Sequence, residues 1–376
     1  MLKKYICVLC NHEITEENNT KEHIIPNSLG GKRVLKNFIC IDCNSKTGET
    51  WDAEIARKFA PFCTMFGIKK DRGNVAPLRV STISGKEYKQ YADGTFVPLN
   101  PKVNVEKGEK NSKNIKIQAR SIDEANSILN GLQKKHKFGD EDLKNLKDQI
   151  KISTSYLDEP IEHEFSFDSE KSGKSIIKSL LALAMNGGIN PFACDLALNY
   201  LIKDEEPNYG FYYFDIDLIK NRKVGIPIHC LHVKAIKETK QVLGYAEYFG
   251  LLRIVSCLTQ NYTGDDQEIT YAINPMTGYE IDLDIELNFS NEEIQRIYDY
   301  EFYNVEDFQL TCDNIMKTAI EFSENRELER ALKNAVIEAQ KFNDLGNTKE
   351  ENARIISMKI VEFMKPYLNH RLRKAP

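Results

Sequence analysis

Two pairs of cysteines near the start of the chain have the spacing of a metal site. Each pair is separated by two residues, and the four members are Cys7, Cys10, Cys40 and Cys43. This spacing lets both sulfurs of a pair bind one ion from a tight turn, and two such turns complete a tetrahedral zinc site. Four thiolates leave no open position, so this zinc would be structural and would stabilise a segment too small for a large core. The alternative is four reduced, buried thiols.

A carboxylate and an imidazole stand next to each other between the two cysteine pairs. Glu22 offers a hard oxygen ligand for a divalent cation, and His23 offers a ring nitrogen that can act as a general base. The side chains of neighbouring residues diverge in an extended segment, so one group could hold a metal ion while the other activates water. An isolated Glu-His pair is more often structural, and the surrounding motif therefore decides its meaning.

That motif resembles the HNH endonuclease family in its zinc-containing ββα-metal form. The resemblance spans residues 7–52 of the 376 and says nothing about the remainder. It is carried by Cys7, Cys10, Glu22, His23, Pro26, Gly30, Gly31, Asn37, Cys40, Cys43, Asn44, Gly48 and Asp52. In this family a β-hairpin and a helix clasp a catalytic divalent ion, usually magnesium or a similar metal.

The resemblance implies a role for each matching polar residue. His23 would be the general base that activates water, and Glu22 and Asn44 would bind a catalytic Mg²⁺ or Mn²⁺. Asn37 would orient the His23 ring or its loop. Glu22 stands where Asp is common, and Asn44 stands where the signature has His. A neutral imidazole can accept a proton from water, so activity is expected to fall at acid pH.

Helical spacing adds one more residue to this set. If a helix begins near Cys43, then Asn44, Gly48 and Asp52 are spaced by four and share one face. Asp52 could then contact a metal ligand without binding the ion itself. A surface position on the helix is the alternative for Asp52.

Charge is unevenly distributed along the chain. The net charge is −5, but residues 1–72 hold 12 Lys or Arg and 9 Asp or Glu, whereas the remainder holds 39 and 47. The basic excess thus lies in the segment that carries the motif, and a positive field beside a site favours a phosphodiester substrate. A solvated surface of mixed sign is the alternative.

The composition is that of a globular protein without a membrane segment. No apolar run approaches the roughly 20 residues that span a bilayer. The basic and briefly apolar start is interrupted by Cys7 and Cys10, so it does not form a secretory signal. We expect a cytoplasmic protein, whose reduced thiols are available to bind metal.

The remaining sequence predicts an α+β fold in three domains. Residues 1–70 would be the zinc-stapled nuclease module, 71–165 a mixed middle region, and 166–376 a recognition or regulatory region ending in helices. An apolar helix is expected over 174–185, buried strands over 228–236 and 244–258, and a hairpin over 269–287. Capping boxes are expected at Ser121, Ser290 and Thr348. On the strand, His229 and His232 face opposite sides, which argues against a second metal site there.

The sequence thus predicts metal-dependent hydrolysis of DNA phosphodiesters, and restriction or anti-phage defence as its setting. Two alternatives stay open. The first is an effector nuclease that is silent until a small molecule or a modified base binds the C-terminal region. The second is a zinc-containing DNA-binding module without catalysis. Apolar stripes in the helical tail would allow a homodimer.

Overall fold

A computed structural model describes residues 4–70, 76–107, 113–151, 155–163, 167, 170–203, 205–214, 216–344 and 346–374. The fold is mixed α+β with a helical C-terminus, as the sequence predicts. The chain packs as two compact units. One consists of Met1–Val75 and Phe165–Phe322, and the other of Ala76–Glu164 and Ser323–Pro376. The predicted boundary at residues 165 and 166 lies outside the described residues, and the three-domain division stays a prediction about which segments fold alone.

The N-terminal part of the first unit is built from short elements. Its strands are β1 (Tyr5–Ile6), β2 (Glu13–Ile14), β3 (Glu22–His23) and β4 (Val34–Leu35), and its helices are α1 (Ile41–Thr47) and α2 (Ala53–Met65). β1 pairs with β2 and β3 pairs with β4, both antiparallel. A π-helical turn, Gly48–Asp52, joins the two helices.

The second unit contains antiparallel strands and two helices from the middle of the chain. The strands are β5 (Leu78–Thr82), β6 (Glu87–Gln90), β7 (Phe96–Pro98), β8 (Lys102–Lys107), β9 (Lys113–Gln118) and β10 (Ile161–Glu162). They form a sheet of order β10-β5-β6-β7 and a separate β8-β9 hairpin. The helices are α3 (Ile122–His136) and α4 (Asp140–Asp148). Ser121 caps α3 by accepting a hydrogen bond from the Glu124 amide, but the Glu124 carboxylate accepts from the Arg120 amide, so only half of the predicted capping box forms.

The first unit continues with a helical segment and a five-stranded antiparallel sheet. Its further helices are α5 (Lys171–Asn186), α6 (Asp195–Lys203) and α7 (Asn291–Tyr298). Its strands are β11 (Tyr209–Phe211), β12 (His229–Ile236), β13 (Gln241–Tyr248), β14 (Leu252–Thr259) and β15 (Gln267–Ile273), in the order β11-β14-β13-β12-β15. Two long helices end the chain, α8 (Val305–Gln340), which begins in the first unit and ends in the second, and α9 (Lys349–Lys374), which belongs to the second. The predicted capping boxes at Ser290 and Thr348 are confirmed.

One predicted hairpin is only half formed. Its first strand is β15, but beyond the turn Glu280 makes a single bridge to Ile273 and no regular strand follows over 279–287. The reason is a competing partner. The Lys220 amide donates to the Asp284 carbonyl, and the Glu286 amide donates to the Leu218 carbonyl. The prediction of a strand over 279–287 is therefore wrong.

The small N-terminal part shares a hydrophobic core with the five-stranded sheet. Phe59 and Phe62 of α2 lie 5.4 and 5.5 Å, between ring centroids, from Phe249 at the turn after β13. On β15, the Tyr271 hydroxyl accepts hydrogen bonds from the Lys32 and Arg33 amides at 3.0 and 2.9 Å. Burial of aromatic surface between the two parts thus supplements the little apolar area that the short elements bury among themselves.

A buried histidine also links the two parts. His229 Nε2 lies 2.9 Å from the Leu29 carbonyl, and Nδ1 accepts a hydrogen bond of 3.1 Å from the Phe249 amide. A carbonyl only accepts, so Nε2 carries the proton and the ring is neutral. Burial lowers the pKa of His229 to about 3.

This linkage predicts a loss of stability in mild acid. An unfolded histidine takes up a proton below about pH 6.5, whereas folded His229 does not until about pH 3, so stability falls as the pH drops through that window. Because of this group, the free energy of unfolding should be about 2 kcal/mol lower at pH 5 than at pH 7.5. Urea unfolding of the wild type and of His229→Gln at pH 7.5 and pH 5 measures it, because a glutamine amide can donate to Leu29 without titrating. Equal pH dependence in the two proteins would contradict this role.

Candidate metal centre and active-site cavity

The two cysteine pairs converge on one point. Their four Sγ atoms lie within 4.8 Å of one another, in the only such group of potential ligands among the described residues. The sulfurs of Cys10 and Cys40 are 3.7 Å apart. A tetrahedron with zinc–sulfur bonds of about 2.3 Å requires sulfurs about 3.8 Å apart. The cluster thus fits a four-cysteine zinc ion.

Further groups surround these sulfurs. The Cys40 amide donates a hydrogen bond of 3.3 Å to Cys7 Sγ, and His12 Nδ1 lies 3.3 Å from Cys10 Sγ. Donors of this kind stabilise metal-bound thiolates. Cys40 stands at the start of α1, so the same cluster fixes where that helix leaves the loop.

The Glu22-His23 pair lies on a hairpin that two glycines shape. β3 and β4 place Glu22 opposite Leu35 and His23 opposite Val34. In the connecting loop Gly30 has a φ of +90°, which disfavours residues with a side chain. A Cβ at Gly31 would lie 1.8 Å from the Ile25 carbonyl oxygen, so only glycine allows this close approach.

The hairpin and the following helices enclose a cavity of about 320 Å³. Glu22 and His23 line it from β3, Asn44 lines it from α1, and Gly48 and Asp52 line it from the π-helical turn. Its other lining residues are Lys21, Pro26, Asn27, Ser28, Ala53 and Ala56. The cavity joins a carboxylate, an imidazole and an amide oxygen, which are ligand types suited to a divalent cation.

Asn37 lies on the loop before α1 and outside this lining. Its backbone has a φ of +62°, a left-handed conformation that asparagine tolerates. The Asn37 side-chain oxygen accepts a hydrogen bond of 2.6 Å from Asn19 Nδ2, and the Asn37 backbone N–H donates to Asn19 Oδ1 at 3.0 Å. The described contacts of Asn37 thus hold the loop. Its predicted action on the His23 ring stays a prediction.

A lysine from another part of the first unit reaches the same site. Lys178 lies on α5, and its Nζ is 2.6 Å from Glu22 Oε1 and 2.6 Å from Asp52 Oδ2. Its side chain is only 1% exposed. Ser175 donates a hydrogen bond of 2.6 Å to the other Asp52 oxygen, Oδ1. Both oxygens of Asp52 are therefore engaged by α5.

Burial and neighbouring charges shift the pKa values of Lys178 and Glu22. Burial alone would lower the pKa of Lys178, but the carboxylates of Asp52 and Glu22 raise it above its usual value. The two carboxylates thus favour the charged form of Lys178. Burial raises the pKa of Glu22, with Asp52 acting in the same direction and Lys178 opposing the rise.

Comparison with known families identifies the segment that carries this site. Residues 7–60 match the model of the HNH endonuclease family. These residues form an HNH endonuclease module. The match covers the cysteine cluster, the hairpin, α1 and most of α2, and it ends well before α5. Neither the curated proteins nor the solved structures contain a match to this chain.

Sequence reasoning found the residues of the HNH module but missed those that α5 adds to it. Lys178 and Ser175 lie in the helix that was predicted from its apolar character alone. The signal was present. Lys174 and Lys178 are spaced by four in an otherwise apolar helix, and a lysine at a buried position needs a carboxylate partner.

The sites that the sequence argued against are accounted for by other contacts. His229 bonds to Leu29 and Phe249, and His232 Nδ1 lies 2.8 Å from the Thr270 hydroxyl.

Among the described residues, no helix combines the length and apolar character needed to cross a bilayer.

The cysteine cluster leads to a prediction about metal content. We expect one tightly held zinc per chain, and Cys40→Ser should lose it together with much of the stability of the first unit. Metal binding contributes on the order of 10 kcal/mol in small zinc-dependent folds. Elemental analysis and thermal unfolding measure both effects. Cys312→Ser, outside the cluster, is the matched control, and full zinc content in Cys40→Ser would contradict the site.

Proposed function

We propose that this protein is a metal-dependent endonuclease that hydrolyses DNA phosphodiesters. The observation that supports the proposal most is the cavity of the HNH module, where Glu22, His23 and Asn44 meet beside a closed cysteine cluster. Carboxylate, imidazole and amide in one solvent-accessible cavity supply a metal-binding group and a base in contact with the same substrate.

His23 is the proposed general base. It lines the cavity from β3 and is partly exposed, so a water molecule can reach its ring. The neutral imidazole accepts a proton from that water, which then attacks the phosphorus of the scissile phosphodiester. The bond to the 3′ oxygen of the preceding nucleotide breaks, and by the HNH resemblance the products carry 5′-phosphate and 3′-hydroxyl ends.

Glu22 and Asn44 are the proposed ligands of the catalytic ion, with oxygens supplied from β3 and α1. A Mg²⁺ or Mn²⁺ held by these two residues would supply positive charge against the charge that develops on the phosphate and on the leaving oxygen. Lys21, which lines the same cavity, adds a positive charge that favours the approach of a phosphate. We propose that the zinc at Cys7, Cys10, Cys40 and Cys43 is structural.

Two other assignments belong to the same proposal. Asn37 holds the loop that precedes α1 through its hydrogen bonds to Asn19, which supports a role in shaping the site. Asp52 accepts hydrogen bonds from Lys178 and Ser175, which supports a role in positioning the metal site without binding the ion itself.

We also propose restriction or anti-phage defence as the biological setting, in the cytoplasm. The support is the architecture, because a nuclease module of residues 7–60 is joined to a much larger region. A ligand for the C-terminal region and a homodimer stay predictions.

The proposal predicts metal-dependent cutting that needs His23. Purified protein with Mg²⁺ or Mn²⁺ should nick or linearise plasmid DNA, and EDTA should stop it. His23→Ala should lower the rate at least about a hundredfold, because a general base contributes that much or more. His136→Ala, which removes a histidine from α3 in the second unit, is the matched control.

Folding controls make the result interpretable. Zinc content and the thermal unfolding midpoint of His23→Ala should match those of the wild type, since the substitution leaves the cysteine cluster intact. Intact plasmid after incubation of well-folded, zinc-loaded wild type with either metal would contradict an endonuclease that is active by itself. Equal cutting by His23→Ala would contradict the role of His23.

A further inference from the structure

One charged group at the site comes from α5 and not from the HNH module. Helix α5 carries Lys178, whose ammonium lies between a proposed metal ligand, Glu22, and Asp52. The matched family segment ends at residue 60, so this cation comes from a different part of the chain. We infer that Lys178 is a positioning residue that occupies one side of the Glu22–Asp52 pair and confines the catalytic ion to the other side. This inference rests on the proposed function.

The geometry supports this inference first. Both carboxylates contact the same Nζ at 2.6 Å, so their nearest oxygens are no farther apart than the sum of those two distances. Two carboxylates this close form a binding site for a cation. In this protein the cation is part of the chain. A divalent ion bound between these two oxygens would therefore have to displace Lys178.

Burial makes that displacement costly. Lys178 is 1% exposed, and its Nζ also lies 3.4 Å from the Thr47 hydroxyl, so its charge is held among protein groups rather than in water. The Asp52 carboxylate is held from its other side by Ser175. Glu22 also lines the cavity together with His23 and Asn44. The available position for a divalent ion is therefore on the cavity side, next to the proposed base.

The charge of Lys178 determines in which direction divalent-ion affinity and cleavage rate should change when it is removed. With all three groups ionised, Glu22, Asp52 and Lys178 together carry a net charge of −1, and removal of the ammonium makes it −2. A variant without this charge should bind a divalent ion more tightly, since one repelling charge is lost near the site. It should also cleave more slowly, because Glu22 and Asp52 can then chelate the ion away from His23. Affinity and turnover should move in opposite directions.

The test is a Mn²⁺ titration of the zinc-loaded full chain at pH 8 without DNA. Binding is measured by calorimetry and by the electron paramagnetic resonance signal of free Mn²⁺. Lys178→Gln keeps hydrogen-bond donors in place and removes the charge. We expect its Kd for Mn²⁺ to fall at least tenfold and its plasmid cleavage rate at saturating Mn²⁺ to fall at least tenfold. Lys203→Gln, which removes the same charge from the exposed end of α6, is the matched control. Both of its values should stay within twofold of the wild type.

The possible outcomes separate this inference from the proposed function. Unchanged or weaker Mn²⁺ binding by Lys178→Gln, in a protein whose wild type binds Mn²⁺ and cuts DNA, overturns the inference alone. A wild type that neither binds Mn²⁺ nor cuts overturns the proposed function and this inference with it. Should Lys178→Gln fail to fold, Asp52→Asn supplies the second test. Its net charge is zero, so its Kd should rise at least tenfold, and an unchanged Kd overturns the inference.

Discussion

A carboxylate that is withdrawn from water needs a cation beside it, and this requirement links the HNH module to the rest of its unit. Glu22 is buried, and the cation that contacts it is Lys178 of α5. Removal of one member of such a buried group leaves an uncompensated charge, which is strongly destabilising. The position of α5 on the five-stranded sheet is therefore coupled to the geometry of the cavity through a few side-chain atoms.

The module also depends on its surroundings for stability. Its strands are two residues long, and its apolar residues share one core with the sheet. The cysteine cluster fixes the loop after β1 and the start of α1, whereas Phe59, Phe62 and the Leu29 carbonyl contact the sheet region through Phe249 and His229. Short elements of this kind are stable only with such external support.

Local signals in the sequence predicted much of this structure. The two C-x-x-C pairs predicted the cysteine cluster, and spacing by four brought Asn44, Gly48 and Asp52 into one helical segment whose residues line the cavity. Long-range contacts could not be predicted in this way. Nothing near Lys178 in the sequence indicates that it contacts Glu22, 156 residues earlier. The strand expected over 279–287 failed for the same reason, because residues 218–220 compete for its backbone hydrogen bonds.

The central claim is that the cavity of the HNH module holds a catalytic divalent ion beside Glu22, His23 and Asn44, while the cysteines hold zinc. Anomalous diffraction from crystals soaked in Mn²⁺, recorded at the manganese and zinc absorption edges, tests this claim most directly. The account predicts a zinc peak among Cys7, Cys10, Cys40 and Cys43, and a manganese peak in the cavity next to Glu22 with Lys178 still in place. A cavity without manganese, or manganese in the position of the Lys178 ammonium, would contradict it.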